Sequence, residues 1–289
     1  MNRCEPSCPA RFRPPPKPDM RLGLGSYAYA WAIGVPGHPP AQPMDHCRLL
    51  AEAERLGTRV LQVCDNLPLT RLTPAELDEF ECRVTAAGIA VEVGTRGMQP
   101  DNVLTHLRLA QRFHSPFVRI VTDSAGDEPS PEEVVGRLRA FLPEFQQAGV
   151  KLALENHDRF AARTLANIIE EVGPEHAGIC LDTVNSFGAL EGPEVVVQTL
   201  APYTLNLHVK DFTIERVSSK IGFILTGSPA GEGRLALPWL LAQLRAAGRD
   251  VNAILETWPP LGPTLEETIT RERAWVEASV RNLRKLIPE

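Results

Sequence analysis

From Arg21 onward the chain repeats one pattern, a short apolar or β-branched run followed by an amphipathic stretch of about 12 to 18 residues. This is the pattern of repeated βα units around a parallel sheet. Eight strand-like runs can be counted, at 22–26, 60–64, 90–94, 117–122, 151–155, 177–182, 204–209 and 252–256. Helical spacing fills the intervals at 44–56, 74–87, 100–113, 131–148, 164–172, 193–200 and 237–247, and 264–286 supplies a final helix. Proline opens several helices (Thr73-Pro74, Ser130-Pro131, Gly192-Pro193), where its missing N–H costs nothing. Glycine closes three of them, at Gly88, Gly149 and Gly248, where the chain must turn left-handed into the next strand. No G-x-G-x-x-G follows the first strand, which argues against a dinucleotide-binding doubly wound sheet. The expected fold is therefore α/β, a single (β/α)8 TIM barrel with a C-terminal helix.

The 289 residues, 43% of them hydrophobic, suffice for one such domain, expected over 20–289. Residues 1–19 carry Pro6, Pro9, Pro14, Pro15, Pro16 and Pro18 without apolar periodicity, so a disordered N-terminal tail is expected there, with natural translation starting at Met20. A formal charge of −6 argues against nucleic acid or an anionic membrane as partner. Neither a run of ~20 apolar residues nor a secretory leader is visible, which points to the cytoplasm. The six cysteines form no C-x-x-C pair and read as reduced thiols.

Chemistry in a parallel α/β barrel gathers at the C-terminal strand ends. The last four runs carry Glu155, Asp182, His208 and Glu256 at or one residue before their ends. Three carboxylates converging on one mouth repel each other, and a divalent cation resolves the conflict. One imidazole and three carboxylates make a mostly oxygen site, suited to Mn²⁺ or Mg²⁺ and tolerant of Co²⁺, Fe²⁺ or Zn²⁺. Mn²⁺ is the favoured ion.

The segments Leu154-Glu155-Asn156-His157, Leu181-Asp182-Thr183, His208-Val209-Lys210-Asp211 and Leu255-Glu256-Thr257 resemble the metal-binding strand ends of the xylose isomerase-like TIM barrel superfamily, in its sugar phosphate isomerase/epimerase branch. The resemblance covers nearly everything from Met20 onward. It implies that Glu155, Asp182, His208 and Glu256 bind one metal ion, and that Glu155 and Glu256 also serve as acid/base groups on opposite substrate faces. The implied activity is isomerisation or epimerisation of a sugar or sugar acid through a metal-stabilised enediolate. One departure stands out: epimerase relatives commonly carry histidine three residues past the aspartate, where this chain has Asn185. An amide can bind a hydroxyl but cannot shuttle a proton. A lyase of the same fold, either a 3-oxo sugar acid decarboxylase or an inosose dehydratase, is the alternative. Gly25-Ser-Tyr, Trp31-Ala-Ile-Gly34 and the segment from Gly227 to Gly233 resemble sugar-acid decarboxylases. An endonuclease of this fold would need further metal ligands, and Val209-Lys210 supplies none.

Further substrate contacts are expected from His157, Asn185 and Lys210, with Trp31 and Trp258 as apolar walls against a sugar face. Lys210 and Asp211 could instead pair with each other. Arg119 interrupts an apolar strand and needs an acid, with Glu92 as the expected partner. The stretch 212–234 reads as a glycine-bearing loop, a lid or the contact of a homo-oligomer.

Overall fold

A computed structural model describes residues 20–288. The tail expected at 1–19 lies outside the described residues. Eight strands close into a parallel barrel: β1 (Leu22–Gly25), β2 (Val60–Val63), β3 (Ala90–Arg96), β4 (Phe117–Val121), β5 (Lys151–Glu155), β6 (Ala177–Asp182), β7 (Thr204–Val209) and β10 (Ala253–Leu255). Each pairs with its sequence neighbour, and β10 closes the ring by pairing with both β7 and β1. The outer layer comprises α1 (Ala30–Ile33), α2 (His46–Leu56), α3 (Pro74–Ala87), α4 (Pro100–Phe113), α5 (Pro131–Ala148), α6 (Ala162–Val172), α7 (Pro193–Leu200), α8 (Leu237–Ala246) and α9 (Leu265–Leu283).

Local chemistry sets these boundaries. Thr73 and Ser130 form capping boxes with Glu76 and Glu133, and the proline after each cap opens the helix. Helix α6 starts two residues before the expected 164, because Glu191 reaches across and accepts from the Ala162 N–H at 2.7 Å. Sequence periodicity cannot show a cap supplied from 29 residues away. Along α5, Val134, Leu138, Phe141 and Phe145 follow helical spacing and are all buried. Each such side chain contributes roughly 1.5–3 kcal/mol by leaving water.

The expected loop at 212–234 is corrected by the structure. Strands β8 (Asp211–Arg216) and β9 (Phe223–Ser228) form an antiparallel hairpin outside the barrel. Ile214 pairs with Leu225 and Arg216 with Phe223, on one face of the ribbon. Apolar and polar residues alternate along β8, but β9 opens on Phe223, Ile224 and Leu225 in a row, and glycines and charges around the turn mask the strands. None of the described helices is long and apolar enough to cross a membrane.

Candidate metal centre

The site rests on a polar layer inside the barrel. Glu92 on β3 is buried and accepts hydrogen bonds from Gln62 Nε2 (3.1 Å), Asn206 Nδ2 (3.0 Å) and Asn252 Nδ2 (2.7 Å). Burial pushes its carboxyl pKa upward, and the Asn252 and Gln62 amides oppose that only in part. Gln62 also donates to Asn206 Oδ1 at 2.9 Å, so its Nε2 is fully committed and its Oε1 must be the acceptor. That oxygen lies 2.6 Å from His208 Nε2. His208 is thereby held with its proton on Nε2 and a lone pair on Nδ1.

The Nδ1 lone pair faces three carboxylates. It lies 3.4 Å from Glu155 Oε2, 3.5 Å from Glu256 Oε1 and 3.8 Å from Asp182 Oδ2. All four side chains are buried, and neither His208 Nδ1 nor Glu256 Oε1 has a hydrogen-bond partner. An imidazole lone pair aimed at carboxylate oxygens is repulsive unless a cation lies between them. Each spacing from Nδ1 fits two ligands of one ion at bond lengths of about 2.0–2.2 Å, and donor atoms of Asp182, His208 and Glu256 all lie within 4.8 Å of one another. Glu155, Asp182, His208 and Glu256 thus form a donor set that fits a divalent metal. Cys180 Sγ also borders the group, but burial raises its thiol well above the ordinary range and it faces Asn206 Oδ1 at 3.5 Å. Cys47, Cys64 and Cys180 are free thiols.

Arg119 does not pair with Glu92, as the sequence suggested. It stands opposite Gly94 in the sheet, two residues nearer the mouth than Glu92. Its Nε donates to Glu155 Oε2, and its Nη1 donates to Asp65 Oδ1 at 3.0 Å. Gly94 makes this possible: a Cβ there would lie 2.6 Å from Cys64 Sγ and 3.2 Å from Arg119 Cδ. The other Glu155 oxygen accepts from Asn185 Nδ2 at 2.8 Å. Burial alone would raise the Glu155 pKa, but Arg119 foremost, with Lys210, outweighs it and holds the carboxyl down at about 2. Asp65 is likewise below the usual carboxylate range: burial works to raise it, and Arg119 and Arg96 prevail.

Lys210 and Asp211 do not pair with each other. Lys210 Nζ lies 2.8 Å from Asp182 Oδ2, 2.9 Å from Glu256 Oε2 and 3.3 Å from Asn185 Oδ1. The Asn185 amide therefore bridges Glu155 and Lys210, which accounts for its place three residues past Asp182. Asp211 turns away and accepts four backbone N–H bonds, from Phe212, Gly231, Gly233 and Leu235, fastening the base of the β8–β9 hairpin. His157 Nδ1 pairs with Asp158, and its Nε2 lies 3.4 Å from Arg96 Nη2. Trp258 Nε1 donates to Asp211 O and Trp31 Nε1 to Pro259 O, both at 2.9 Å, so each indole is oriented by backbone.

Behind Trp31, Glu272 on α9 is fully buried and accepts from the N–H groups of Trp31 and Ala32 at 2.8 and 3.0 Å. Burial pushes its pKa up to about 8, against the pull of those two donors. The sign of the linkage follows. Between about pH 4.3 and 8 the unfolded chain gives up this proton while the fold retains it, so stability falls as pH rises. Glu272→Gln should remove that component. Urea midpoints at pH 5.5 and 8.5 are expected to fall further for the parent protein than for the variant, and parallel falls would refute the assignment.

Gln62, Asp65, Arg96 and Asn206 were not singled out from the sequence. Asp65 follows β2 and Arg96 ends β3, so the strand-end rule extended to the first half of the barrel marks both.

A (β/α)8 barrel with one mixed carboxylate–imidazole centre at its C-terminal rim defines a class of enzyme scaffold. The model of the xylose isomerase-like TIM barrel family matches residues 50–286, and the chain belongs to that family. It is 34% identical over 266 residues to the 3-oxo-isoapionate decarboxylase of Pectobacterium atrosepticum, covering 91% of this chain and 95% of that protein. The fold is also that of D-psicose 3-epimerase from Clostridium cellulolyticum H10, with a TM-score of 0.68, 15% identity, and coverage of 91% of this chain and 97% of the other. A xylose isomerase-like barrel from Mycobacterium smegmatis, in complex with magnesium, superposes with a TM-score of 0.61 at 13% identity, over 92% of this chain and 97% of the other.

Proposed function

We propose that this chain is a divalent-metal-dependent lyase that decarboxylates a 3-oxo sugar acid. The observation that carries the reading is the asymmetry of the two glutamates. Epimerisation needs a free base on each face of the substrate, to remove a proton from one and return it to the other. Both Glu155 oxygens are already engaged, by Arg119 and by Asn185, so Glu155 is a poor proton acceptor. No guanidinium or amide is hydrogen-bonded to Glu256: its Oε1 has no hydrogen-bond partner, and its Oε2 lies 2.9 Å from the Lys210 ammonium.

That arrangement suits a reaction with one proton delivery. A bound Mn²⁺ or Mg²⁺ ion would supply Lewis acidity, drawing electron density toward a ketone oxygen. Glu155, Asp182, His208 and Glu256 would hold it, with Gln62 fixing the His208 tautomer. When the bond between the carboxyl carbon and C2 breaks, its electron pair stays on C2 and CO₂ departs. Lys210 Nζ holds a proton beside Glu256 that can pass to C2, and solvent restores it. Decarboxylation of a β-keto acid therefore consumes one proton and needs no base on the Glu155 face.

The 34% identity to a decarboxylase, spread over 91% of the chain, supports this reading, as does the magnesium bound by the Mycobacterium smegmatis barrel. The test uses the full chain stripped of metal and reloaded with Mn²⁺ or Mg²⁺, given a 3-oxo sugar acid in D₂O. One CO₂ and one deuterium in the product per turnover are expected, and none with the metal-free protein. Retention of all substrate carbon together with C–H exchange would overturn the lyase in favour of the isomerase or epimerase.

A further inference from the structure

Arg96, at the barrel mouth, is held loosely. It ends β3, and its side chain remains 35% exposed. Its Nε is 3.3 Å from Asp65 Oδ2, its Nη1 is 3.4 Å from Asp123 O, and its Nη2 is 3.4 Å from His157 Nε2. Good N–H···O bonds are about 2.7–3.2 Å long, so all three contacts are stretched. Neighbouring arginines show what firm pairing looks like here. Arg159 grips both oxygens of Asp123, Arg137 both of Asp127, and Arg119 is buried between Glu155 and Asp65. Asp65 cannot satisfy Arg96 further, because it already accepts from Arg119 on one oxygen and from Tyr27 Oη, at 2.9 Å, on the other.

Charge points the same way. Four mouth carboxylates, Asp65, Glu155, Asp182 and Glu256, face three cations, Arg96, Arg119 and Lys210. A divalent ion carries that set one positive charge past neutrality, and a monoanionic substrate restores the balance. Arg96 also lies on the Glu155 side of the centre, since its neighbour His157 is two residues past Glu155. A planar fork with unused N–H donors is the group that grips a carboxylate at two points.

We infer that Arg96 is the carboxylate-recognition residue of this site, reading the acid group of the substrate while its ketone and hydroxyl oxygens face the four metal-centre residues. This rests on the sugar-acid reading above and names the group that distinguishes an acid from a neutral sugar. Arg96 is a specificity residue: its loss should weaken binding of acids and leave neutral polyols alone.

The test measures binding by isothermal titration calorimetry on the full Mg²⁺-loaded chain, with erythronate as the acid probe and erythritol as its neutral counterpart. The parent protein is expected to prefer erythronate by at least ~10-fold, the worth of one charge-assisted bond. Arg96→Gln should raise the erythronate Kd ~10–100-fold, with erythritol unchanged within about twofold, and Arg96→Lys should recover part of the loss. Because Arg96 makes only stretched contacts, thermal midpoints of both variants should stay within a few degrees of the parent. No acid preference in the parent, an acid preference that survives Arg96→Gln, or equal loss for both probes would each overturn the inference. The decarboxylation assay fails independently: no CO₂ from any 3-oxo acid, with the Arg96-dependent preference intact, would remove the lyase reading and leave acid recognition standing.

Discussion

His208→Ala is expected to abolish tight binding of a divalent ion and to lower kcat/KM by at least about a thousandfold. The imidazole is the one nitrogen donor in the set, and its Nδ1 is the atom around which the three carboxylate oxygens are arranged. Without it, Glu155, Asp182 and Glu256 remain buried with only Arg119 and Lys210 to offset them. Metal content after dialysis, measured by plasma emission, should fall from about one ion per chain in the parent to a small fraction of that in the variant. Full metal retention would show that the ion sits elsewhere and would undo the assignment of the four residues as a common donor set.

Arg119→Met is expected to carry the largest cost in stability, about 3–5 kcal/mol in the metal-free protein. The variant keeps an apolar stem in the same space but leaves buried Glu155 without its guanidinium and Asp65 with only the longer contact to Arg96. Urea denaturation in the presence of a chelator gives the cost directly, and added Mg²⁺ should recover part of it by neutralising Glu155. The effect also depends on pH. In the parent, Glu155 is held down at about 2, so its contribution is present above the ordinary glutamate pKa near 4.3 and fades as pH falls toward 2. The difference between parent and variant should therefore narrow on acidification. A cost under about 1 kcal/mol at neutral pH would mean that Arg119 is not the counter-ion of Glu155.

Much of this architecture can be read from the order of residues. The barrel is legible because each strand is an apolar run bounded by turn chemistry, and because proline and glycine mark helix ends in ways that depend only on neighbours, as at Thr73-Pro74 and Gly88. The four metal-centre candidates are legible because their types recur at one topological position. What is not legible are contacts set by depth inside the barrel. Glu92 and Arg119 look like partners by type, yet they stand at different levels, so Glu92 meets amides while Arg119 meets Glu155 and Asp65. Gln62 has no signature at all, since its role depends on being hydrogen-bonded to Glu92 and His208 at once. The β8–β9 hairpin was obscured because glycine and charge are read as loop whenever a strand lies outside the main sheet.

The close approach around Gly94 constrains how this protein can change over generations. A methyl group at that position would lie 2.6 Å from the Cys64 sulfur, which would have to shift, and 3.2 Å from Arg119 Cδ, which would have to give by a few tenths of an ångström. Enlarging position 94 is therefore easier once residue 64 is smaller, whereas shrinking residue 119 strands Glu155. Positions 64, 94 and 119 are therefore coupled in mutational history, each limiting what the others can accept.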